Sequence, residues 1–288
     1  MVFEVNPINV SENWQATIEL TLYKNMTRIT EKFRQIKDEG RKALIPFVTL
    51  GDPNLDESRR IIFELEKAGA DLIELGVPFS DPLADGPIIQ RAQERALREG
   101  FTLEKGLALI AELRQKVKVP LVLFSYYNPL FAFGFKDLVQ EIKRCGIDGL
   151  LITDLSIEEA EEPVKLLRLA EIDSIFLAAP TSTEERIKMI ADYSSGFIYA
   201  VSRMGVTGTR KSISLEVESL VKKIRCHSKL PIAVGFGISE PGHIKQIWNQ
   251  SEGAVVGSAI VQCIEENLGK SDLAKQVGNF TRWLKGES

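Results

Sequence analysis

The sequence predicts an α/β fold, a single-domain (β/α)8 barrel of the TIM-barrel class, and three observations support this prediction. From residue 43 onward, short aliphatic or β-branched runs alternate with longer amphipathic stretches, which is the pattern of repeated strand and helix units around a parallel sheet. The short runs are almost continuously apolar, as expected for strands that are covered on both faces. No serine- or proline-rich linker interrupts the series, so one barrel is favoured over two doubly wound domains.

Eight of these runs are the predicted strands: residues 44–49, 71–77, 120–125, 149–153, 174–178, 197–202, 231–236 and 254–257. The helical stretch after the first strand has clear boundaries, because Asn54 can cap it, Glu57 stands at the capping-box position and Gly69 ends it. The junction AGAD at residues 68–71 recurs as CGID at residues 145–148, which is a faint internal repeat of the unit.

An extra helix is predicted at residues 26–39, ahead of the first strand. Residues 1–25 show only weak periodicity, so we treat them as an N-terminal extension to which the sequence assigns no role. The predicted barrel domain is therefore residues 26–288.

The composition excludes several classes of protein. With 44% hydrophobic and 26% charged residues and a net charge of −4, the chain is expected to be a soluble globular protein. Its lysines and arginines are spread along the sequence, so neither nucleic acid nor a membrane surface is an expected partner. No apolar run approaches the roughly 18 residues of a membrane-spanning helix, and no signal peptide is recognised, so the protein is not expected to be secreted or to span a membrane.

The cysteines and histidines do not indicate a metal site. Cys145, Cys226 and Cys263 are odd in number and lack metal-ligand spacing, which favours a reduced, cytoplasmic compartment. His227 and His243 fit neither an HExxH motif nor a Cys/His cluster, and both are expected at the surface or at helix ends. A Ser-His-Asp triad is not expected either.

Two carboxylates are the candidate acid–base groups, because barrel chemistry takes place at the C-terminal ends of the strands and in the loops that follow. Glu74 lies inside the apolar second strand, on the same face as Leu72, so it lines the barrel mouth or points into the helix layer. The second alternative would bury an unpaired carboxylate at a cost of several kcal/mol. Partial burial at the mouth would raise the pKa of Glu74 toward neutrality, as a group that both gives and takes a proton requires. Pairing with a lysine or arginine is the structural alternative.

The loop FSDPLADGP at residues 79–87 follows the same strand and contains Asp81 and Asp85. Prolines 82 and 87 restrict the backbone around Asp85, so its side chain can be directed inward; the alternative is a turn aspartate bonded to its own backbone. Asp81 lies further out and is expected to make a turn or a partner contact. At the ends of strands one and six, Phe47 and Tyr199 offer flat faces for an aromatic substrate, although single aromatic residues also fill cores.

Glycine-rich turns after the last two strands indicate a phosphate site. GFGIS at residues 235–239 and GSAIV at residues 257–261 each pass directly into a helix, where free N–H groups carry partial positive charge. Strands seven and eight are also the usual barrel position for a phosphate. A third loop, GVTG at residues 205–208, can close over the same group. The alternative is that these glycines serve turn geometry alone.

These motifs, together with PFVTLGDP at residues 46–53 and SRMGVTG at residues 202–208, closely resemble those of the tryptophan synthase alpha subunit family, from about residue 26 to the C-terminus. The resemblance implies a (β/α)8 barrel that cleaves indole-3-glycerol phosphate to indole and glyceraldehyde 3-phosphate. It also implies a beta-subunit partner that carries pyridoxal phosphate, an α2β2 heterotetramer, and no cofactor or metal in the alpha chain itself. Residues 79–87 and 126–131 correspond to regions that face the beta subunit.

The resemblance assigns roles to individual residues. Glu74 matches the glutamate that protonates indole C3 and takes the proton of the glycerol hydroxyl, and Asp85 matches the aspartate that binds the indole N–H. Phe47, Phe124 and Tyr199 match positions beside the indole, and Thr207 resembles a loop threonine that orders the active site. The positions that match the phosphate cradle are Gly208, Phe236, Gly237, Gly257 and Ser258.

Two departures from the family pattern are visible: Ser156 stands where the family usually has proline, and residues 1–25 have no recognised counterpart. Three other interpretations remain. A sugar-phosphate epimerase or isomerase would share the glycine loops but would not explain residues 79–87. A stand-alone lyase would release free indole, and a non-catalytic subunit would only activate its partner; the presence of both Glu74 and Asp85 argues against the last.

Overall fold

The structure is a computed structural model that describes residues 26–201, 210–235 and 237–286, without the side chains of residues 210–215. Its strands are β1 (Ala43–Thr49), β2 (Ile73–Gly76), β3 (Leu121–Ser125), β4 (Gly149–Ile152), β5 (Asp173–Ile175), β6 (Leu177–Ala178), β7 (Ile198–Val201), β8 (Ile232–Gly235) and β9 (Gly253–Val256). The first six helices are α1 (Arg28–Asp38), α2 (Leu55–Lys67), α3 (Pro87–Arg98), α4 (Leu103–Leu113), α5 (Tyr127–Phe133) and α6 (Phe135–Cys145). A 3-10 turn (Ile157–Glu159) is followed by α7 (Glu161–Leu169), α8 (Glu184–Tyr193), α9 (Arg210–His227), α10 (Pro241–Trp248), α11 (Ser258–Glu266) and α12 (Leu273–Lys285).

The strands form one nearly closed parallel barrel, which confirms the predicted fold class. The order around the sheet is β5-β4-β3-β2-β1-β9-β8-β7-β6. Only Phe176 separates β5 from β6, so these two short strands together are the fifth predicted strand, and its carbonyl accepts a hydrogen bond of 3.1 Å from Tyr199 N. Each of the eight predicted runs overlaps an observed strand, and the differences are confined to the ends.

The apolar side chains form an outer and an inner layer, as a barrel requires. The outer layer lies between the strands and the surrounding helices and includes Ile73 and Leu75. The inner layer fills the barrel and includes Leu72, which shares a face with Glu74. Side chains that alternate along β2 therefore point alternately out and in, and Glu74 points into the barrel.

Helix α1, the extra helix that the sequence predicts, closes the N-terminal end of the barrel. It is capped by Thr27, whose hydroxyl accepts a hydrogen bond from Thr30 N. Its buried side chains Ile29, Phe33 and Ile36 belong to the inner layer. Because this end is filled, the cavity at the opposite end is where a ligand can enter.

Acidic residues immediately before three strands fix the strand starts in a recurring arrangement. Each acid accepts a backbone hydrogen bond from the neighbouring strand: Asp71 from Leu44 at 3.0 Å, Asp148 from Leu121 at 2.9 Å and Glu252 from Ile232 at 2.9 Å. Each also contacts an arginine: Arg41, Arg114 and Arg225 respectively. The recurring AGAD and CGID junctions thus include two of these acids.

The predicted start and end of the helix after β1 are confirmed. The side chain of Asn54 accepts a hydrogen bond from Glu57 N, and Gly69 adopts a φ of +83°. The Glu57 carboxylate does not complete the capping box, because it pairs with Arg60 at 2.7 Å. On the buried face of α2 lie Ile61, Ile62 and Leu65.

The described residues include all three cysteines and both histidines. In the ranges given above, no helix is both long and apolar enough to cross a bilayer, and no three histidine, cysteine or acidic side chains converge as a metal site would require. All three cysteines are free. His227 ends α9 and His243 lies in the first turn of α10, as predicted for helix-end residues.

Candidate active site

A cavity of about 430 Å³ opens at the C-terminal ends of the strands, which is where a barrel carries its chemistry. Both candidate carboxylates line it. The other predicted residues around the cavity are Phe47, Phe124, Tyr199, Gly237, Gly257 and Ser258. The fold thus brings together residues that are more than 200 positions apart in the sequence.

Glu74 is completely buried at the bottom of this cavity. It lies on β2, in register with Phe47 of β1 and Val122 of β3. Neither of its carboxylate oxygens has a hydrogen-bond partner among the described residues, and no lysine or arginine there pairs with it. Burial raises its pKa to about 8. The aromatic neighbours enclose the Glu74 side chain completely, so the prediction of partial burial was wrong in degree. The pKa of Glu74 shifts in the predicted direction.

Asp85 lies half-buried in the loop before α3, with its carboxylate held from two sides. Oδ2 accepts a hydrogen bond of 2.7 Å from Gln93 Nε2 and another of 2.9 Å from Tyr126 Oη. Burial raises the pKa of Asp85, and the hydrogen bonds from Tyr126 and Gln93 oppose that rise. The alternative of a turn aspartate bonded to its own backbone is wrong, since these contacts go to the side chains of α3 and of the residue that follows β3.

Gln93 and Tyr126 also fix the backbone of the loop that carries Asp85. Phe79 N donates to Gln93 Oε1 at 2.9 Å, and Ala84 N donates to Tyr126 Oη at 3.0 Å. Both ends of the loop are thus tied to the groups that bind the Asp85 carboxylate. The sequence analysis did not identify Gln93, although a polar residue between Ala92 and Ala96 on the buried face of α3 is the signal that could have found it.

Aromatic rings form the walls between the two carboxylates. Phe47 and Phe124 meet edge to face with ring centroids 5.2 Å apart. A Cβ on Gly76 would overlap the Phe47 ring, and a Cβ on Gly235 would overlap the Tyr199 ring, so glycine is needed at both positions. Burial and the nearby carboxyl groups of Glu74 and Asp85 raise the pKa of Tyr199 well above its usual value, which keeps its hydroxyl protonated.

The glycine turns after β8 and β9 line the opposite rim of the cavity. Gly235, Gly237 and Ile238 come from the first turn, and Gly257 and Ser258 come from the second. Helix α11 begins at Ser258 without a side-chain cap, so the N–H groups of its first turn can donate hydrogen bonds to an anion. This geometry fits a phosphate group.

Several predicted residues are not among the described lining residues of the cavity. Thr207, Gly208 and Phe236, with the 205–208 loop, fall outside the described residues. Asp81 is exposed, bonds to Ser80 Oγ at 2.6 Å and does not line the cavity, in agreement with its outer position. Ser156, at the position of the usual proline, donates to Glu159 Oε2 at 2.8 Å and precedes the 3-10 turn.

The cavity also has lining residues that the sequence analysis missed. They are mostly apolar, or loop residues with no chemical signature: Leu83, Ala84, Gly86, Ile89, Thr153, Leu177, Val201, Ile238 and Val255. Three of them, Leu177, Val201 and Val255, are strand residues of the inner layer, which strand alternation could have indicated.

Known proteins share this sequence and this fold. A family described as Tryptophan synthase alpha chain matches residues 33–285. The tryptophan synthase alpha chains of Solibacter usitatus and Geotalea uraniireducens are 50% and 48% identical over 260 residues, which is 90% of this chain and 97% of each relative. Tryptophan synthase subunit alpha from Legionella pneumophila has a crystal structure with a TM-score of 0.85 at 32% identity, covering 91% of this chain and 98% of that one. The likeness agrees with the barrel fold, and the chain belongs to the tryptophan synthase alpha chain family.

Proposed function

We propose that Glu74 and Asp85 carry out the lyase reaction of this family, the retro-aldol cleavage of indole-3-glycerol phosphate into indole and glyceraldehyde 3-phosphate. The observation that carries this proposal is the Glu74 carboxyl, which is buried at the base of the cavity and whose two oxygens have no hydrogen-bond partner among the described residues. A structural carboxyl in such a position would be costly unless it were bound by a partner. A ligand that offers a proton donor and a proton acceptor would supply that partner.

Glu74 serves as general acid and then as general base. With a pKa of about 8 it is protonated at neutral pH, so it can donate its proton to indole C3. The resulting carboxylate then takes the proton of the hydroxyl on the carbon attached to C3. As that carbon becomes the aldehyde, the carbon–carbon bond breaks and its electron pair restores the aromatic indole. One group thus completes both transfers, and the proton count balances.

Asp85 stabilises the cation that this sequence creates. Protonation at C3 places positive charge on the ring nitrogen, and an anion that accepts the N–H hydrogen bond lowers the energy of that intermediate. Its two hydrogen bonds from described residues both go to Oδ2, which leaves Oδ1 for the indole N–H. The donors from Gln93 and Tyr126 favour the ionised form of Asp85, as this role requires.

The remaining residues bind and orient the substrate. Phe47, Phe124 and Tyr199 enclose the indole, with the N–H directed to Asp85. Gly237 in the turn after β8, with Gly257 and Ser258 at the start of α11, binds the phosphate through backbone amides. We further assign Thr207 to ordering the site, and Gly208 and Phe236 to the phosphate end, on the family resemblance.

The test is indole formation from indole-3-glycerol phosphate by the wild-type chain and by Glu74→Gln. We expect a loss of at least about 100-fold in Glu74→Gln, the usual scale of general acid–base catalysis. Binding of glycerol phosphate, measured by calorimetry, is expected to stay within twofold because the phosphate end is intact. Unchanged cleavage in Glu74→Gln would refute the assignment.

We propose a tryptophan synthase beta subunit as the partner, in an α2β2 heterotetramer. Two large apolar side chains are exposed in the segments that the family resemblance assigns to this contact: Leu83 is 94% exposed and Phe131 is 63% exposed. Exposed apolar groups near a cavity mouth mark an interaction surface. We expect Leu83→Ser and Phe131→Ser to weaken binding to the beta subunit, with exposed Leu169→Ser as the control. Because Phe131 does not line the cavity, isolated cleavage is expected to persist in Phe131→Ser.

Several further assignments complete the proposal. This chain needs no cofactor, and pyridoxal phosphate belongs to the beta subunit. The free thiols support a reduced, cytoplasmic compartment. The family match over residues 33–285 supports a barrel domain at residues 26–288 and leaves residues 1–25 as an extension.

The stand-alone lyase is the second candidate, because the cavity contains both carboxylates without a partner chain. Titrating purified beta subunit into the cleavage assay separates the two functions. Stimulation that saturates at one beta subunit per alpha chain supports the heterotetramer. A rate that does not respond to the beta subunit supports the stand-alone enzyme.

A further inference from the structure

Outside the cavity, the guanidinium group of Arg95 joins three separate parts of the barrel. Nε and Nη2 bond the two oxygens of Asp52 at 2.8 and 3.0 Å, and Nη1 bonds Glu265 Oε1 at 2.7 Å. The Asp52 side chain is fully buried and that of Arg95 is 17% exposed. A paired fork of this kind fixes both distance and orientation, which a single ammonium group cannot do.

Each of the three joined parts is continuous in the chain with a residue of the active site. Asp52 lies in the loop after β1, the strand that carries Phe47. Arg95 is on α3, whose residue Gln93 binds the Asp85 carboxylate. Glu265 is on α11, which begins at Ser258 on the phosphate rim. Arg95 therefore connects the helix that holds the acid end both to the helix that begins at the phosphate end and to the loop after β1.

Apolar packing alone would define the relative position of α3 and α11 only weakly. Their shared contact is a small cluster of Phe47, Ala92 and Val261, with Ile88 and Ile89 at its edge. Contacts of this kind hold surfaces together but have no directional preference. The charged contacts of Arg95 add the direction. Hydrogen bonds from Arg91 and Arg95 lower the pKa of Glu265 to about 2, so the carboxylate is ionised throughout the working range.

We propose that Arg95 is a positioning residue of the lyase: by tying α3 to α11 and to the loop after β1, it sets the distance between the Asp85 end and the phosphate end of the site. The inference rests on the proposed function. Arg95 does not line the cavity, so it acts only through the helices that it joins.

Glu265→Ala cuts the links of both Arg91 and Arg95 to α11 and leaves the buried pair of Arg95 and Asp52 in place, so its effect is compared with the loss of Arg91 alone. Arg91→Gln is the matched control: Arg91 bonds the same Glu265 carboxylate at 2.6 and 2.8 Å, lies one turn earlier on α3, is half-exposed and does not contact Asp52. Arg95→Lys is the second variant, since it keeps one positive charge and loses the fork.

We expect Glu265→Ala and Arg95→Lys each to lower kcat about tenfold, to change KM less than threefold and to leave the affinity for glycerol phosphate unchanged. Arg91→Gln is expected to stay within twofold of wild type in kcat. In a double-mutant cycle, adding Gln93→Leu to Glu265→Ala should lower kcat by less than the product of the two single effects, because both act through the position of Asp85.

A purely structural role would give a different result. In that case the variants would melt at a lower temperature, yet well below that temperature their kcat would equal the wild-type value, and this would overturn the inference. Fully multiplicative effects in the double-mutant cycle would overturn it as well. If the wild-type chain itself did not cleave indole-3-glycerol phosphate, the proposed function would fail first, so the two failures are distinguishable.

Discussion

Gln93 Nε2 lies 2.7 Å from Asp85 Oδ2, and the same amide group accepts a hydrogen bond from Phe79 N at 2.9 Å. The buried side chain of Gln93 on α3 thereby holds both ends of the segment from Phe79 to Asp85. The position of Asp85 is thus set by a residue eight positions further along the chain.

Gln93→Leu is expected to lower kcat about tenfold, because it removes a hydrogen bond to a carboxylate, a contact that contributes about 1.5 kcal/mol or more. The variant also leaves Phe79 N without its acceptor. Steady-state kinetics of indole release measures the effect. Gln90→Leu is the control on the same helix, since Gln90 bonds the Asp85 backbone and not its carboxylate. Equal losses in both variants would contradict the assignment.

The same variant is expected to raise the pKa of Asp85. Burial already raises it, and the hydrogen bonds from Tyr126 and Gln93 counteract that rise. With one donor removed, the ionised form is less favoured and the acid limb of the profile of kcat/KM against pH moves to higher pH. An acid limb that does not move would show that Gln93 does not tune this carboxyl.

Glu74 is expected to set the basic limb of the wild-type profile. Its pKa of about 8 means that the free enzyme loses the required proton above that pH, so kcat/KM falls tenfold per pH unit there. Rates measured between pH 6 and pH 10 test this. A plateau that extends to pH 10 would exclude Glu74 as the proton donor.

Glu74 also makes folding stability depend on pH. Its folded pKa of about 8 lies above the ordinary value of 4.5, so between these values the folded state keeps a proton that the unfolded state releases. Its contribution to the free energy of unfolding therefore falls by about 1.4 kcal/mol per pH unit from pH 4.5 to about 8. Glu74→Gln should lack this slope in urea unfolding at pH 5, 6, 7 and 8. The exposed Asp81→Asn should retain it.

Gly235→Ala is expected to raise KM about tenfold, because its Cβ would overlap Tyr199 and force that ring toward the substrate. Gly242→Ala is the matched control: it lies in the first turn of α10, and no described atom is within 4 Å of the position that its Cβ would take. The control should keep wild-type KM and stability. A wild-type KM in Gly235→Ala would show that the Tyr199 ring can move away without affecting binding.

Asp148→Asn is expected to destabilise the barrel by about 3 kcal/mol without changing kcat, because it removes a buried carboxylate that binds Arg114 and accepts from Leu121 N. The residue lies before β4, at the end of the barrel away from the cavity. Thermal and urea unfolding measure the loss, with the exposed Asp137→Asn as the control. A reduced kcat in the folded variant would contradict this separation of the two ends.

The (β/α)8 class, all eight strand positions, the extra helix and both carboxylates could be predicted from the sequence. These features are encoded locally. Continuous apolar runs indicate buried strands, and Asn54 and Gly69 indicate helix ends. The acid inside the apolar run of β2 can be recognised in the sequence without knowing what the strand packs against. The family motifs indicated the substrate class. They include loops whose function residue patterns alone do not determine.

Only the tertiary structure determines which side chains surround Glu74 and bind Asp85. That Glu74 is completely enclosed depends on the aromatic side chains from β1, β3 and β7. The binding of Asp85 depends on Gln93 and Tyr126, and no local pattern indicates that these two residues contact Asp85. Arg95 and Glu265 meet across 170 positions of sequence. Local patterns report the secondary structure of a segment and the face that it buries, whereas partners across the barrel are fixed only when the strands close and the helices pack.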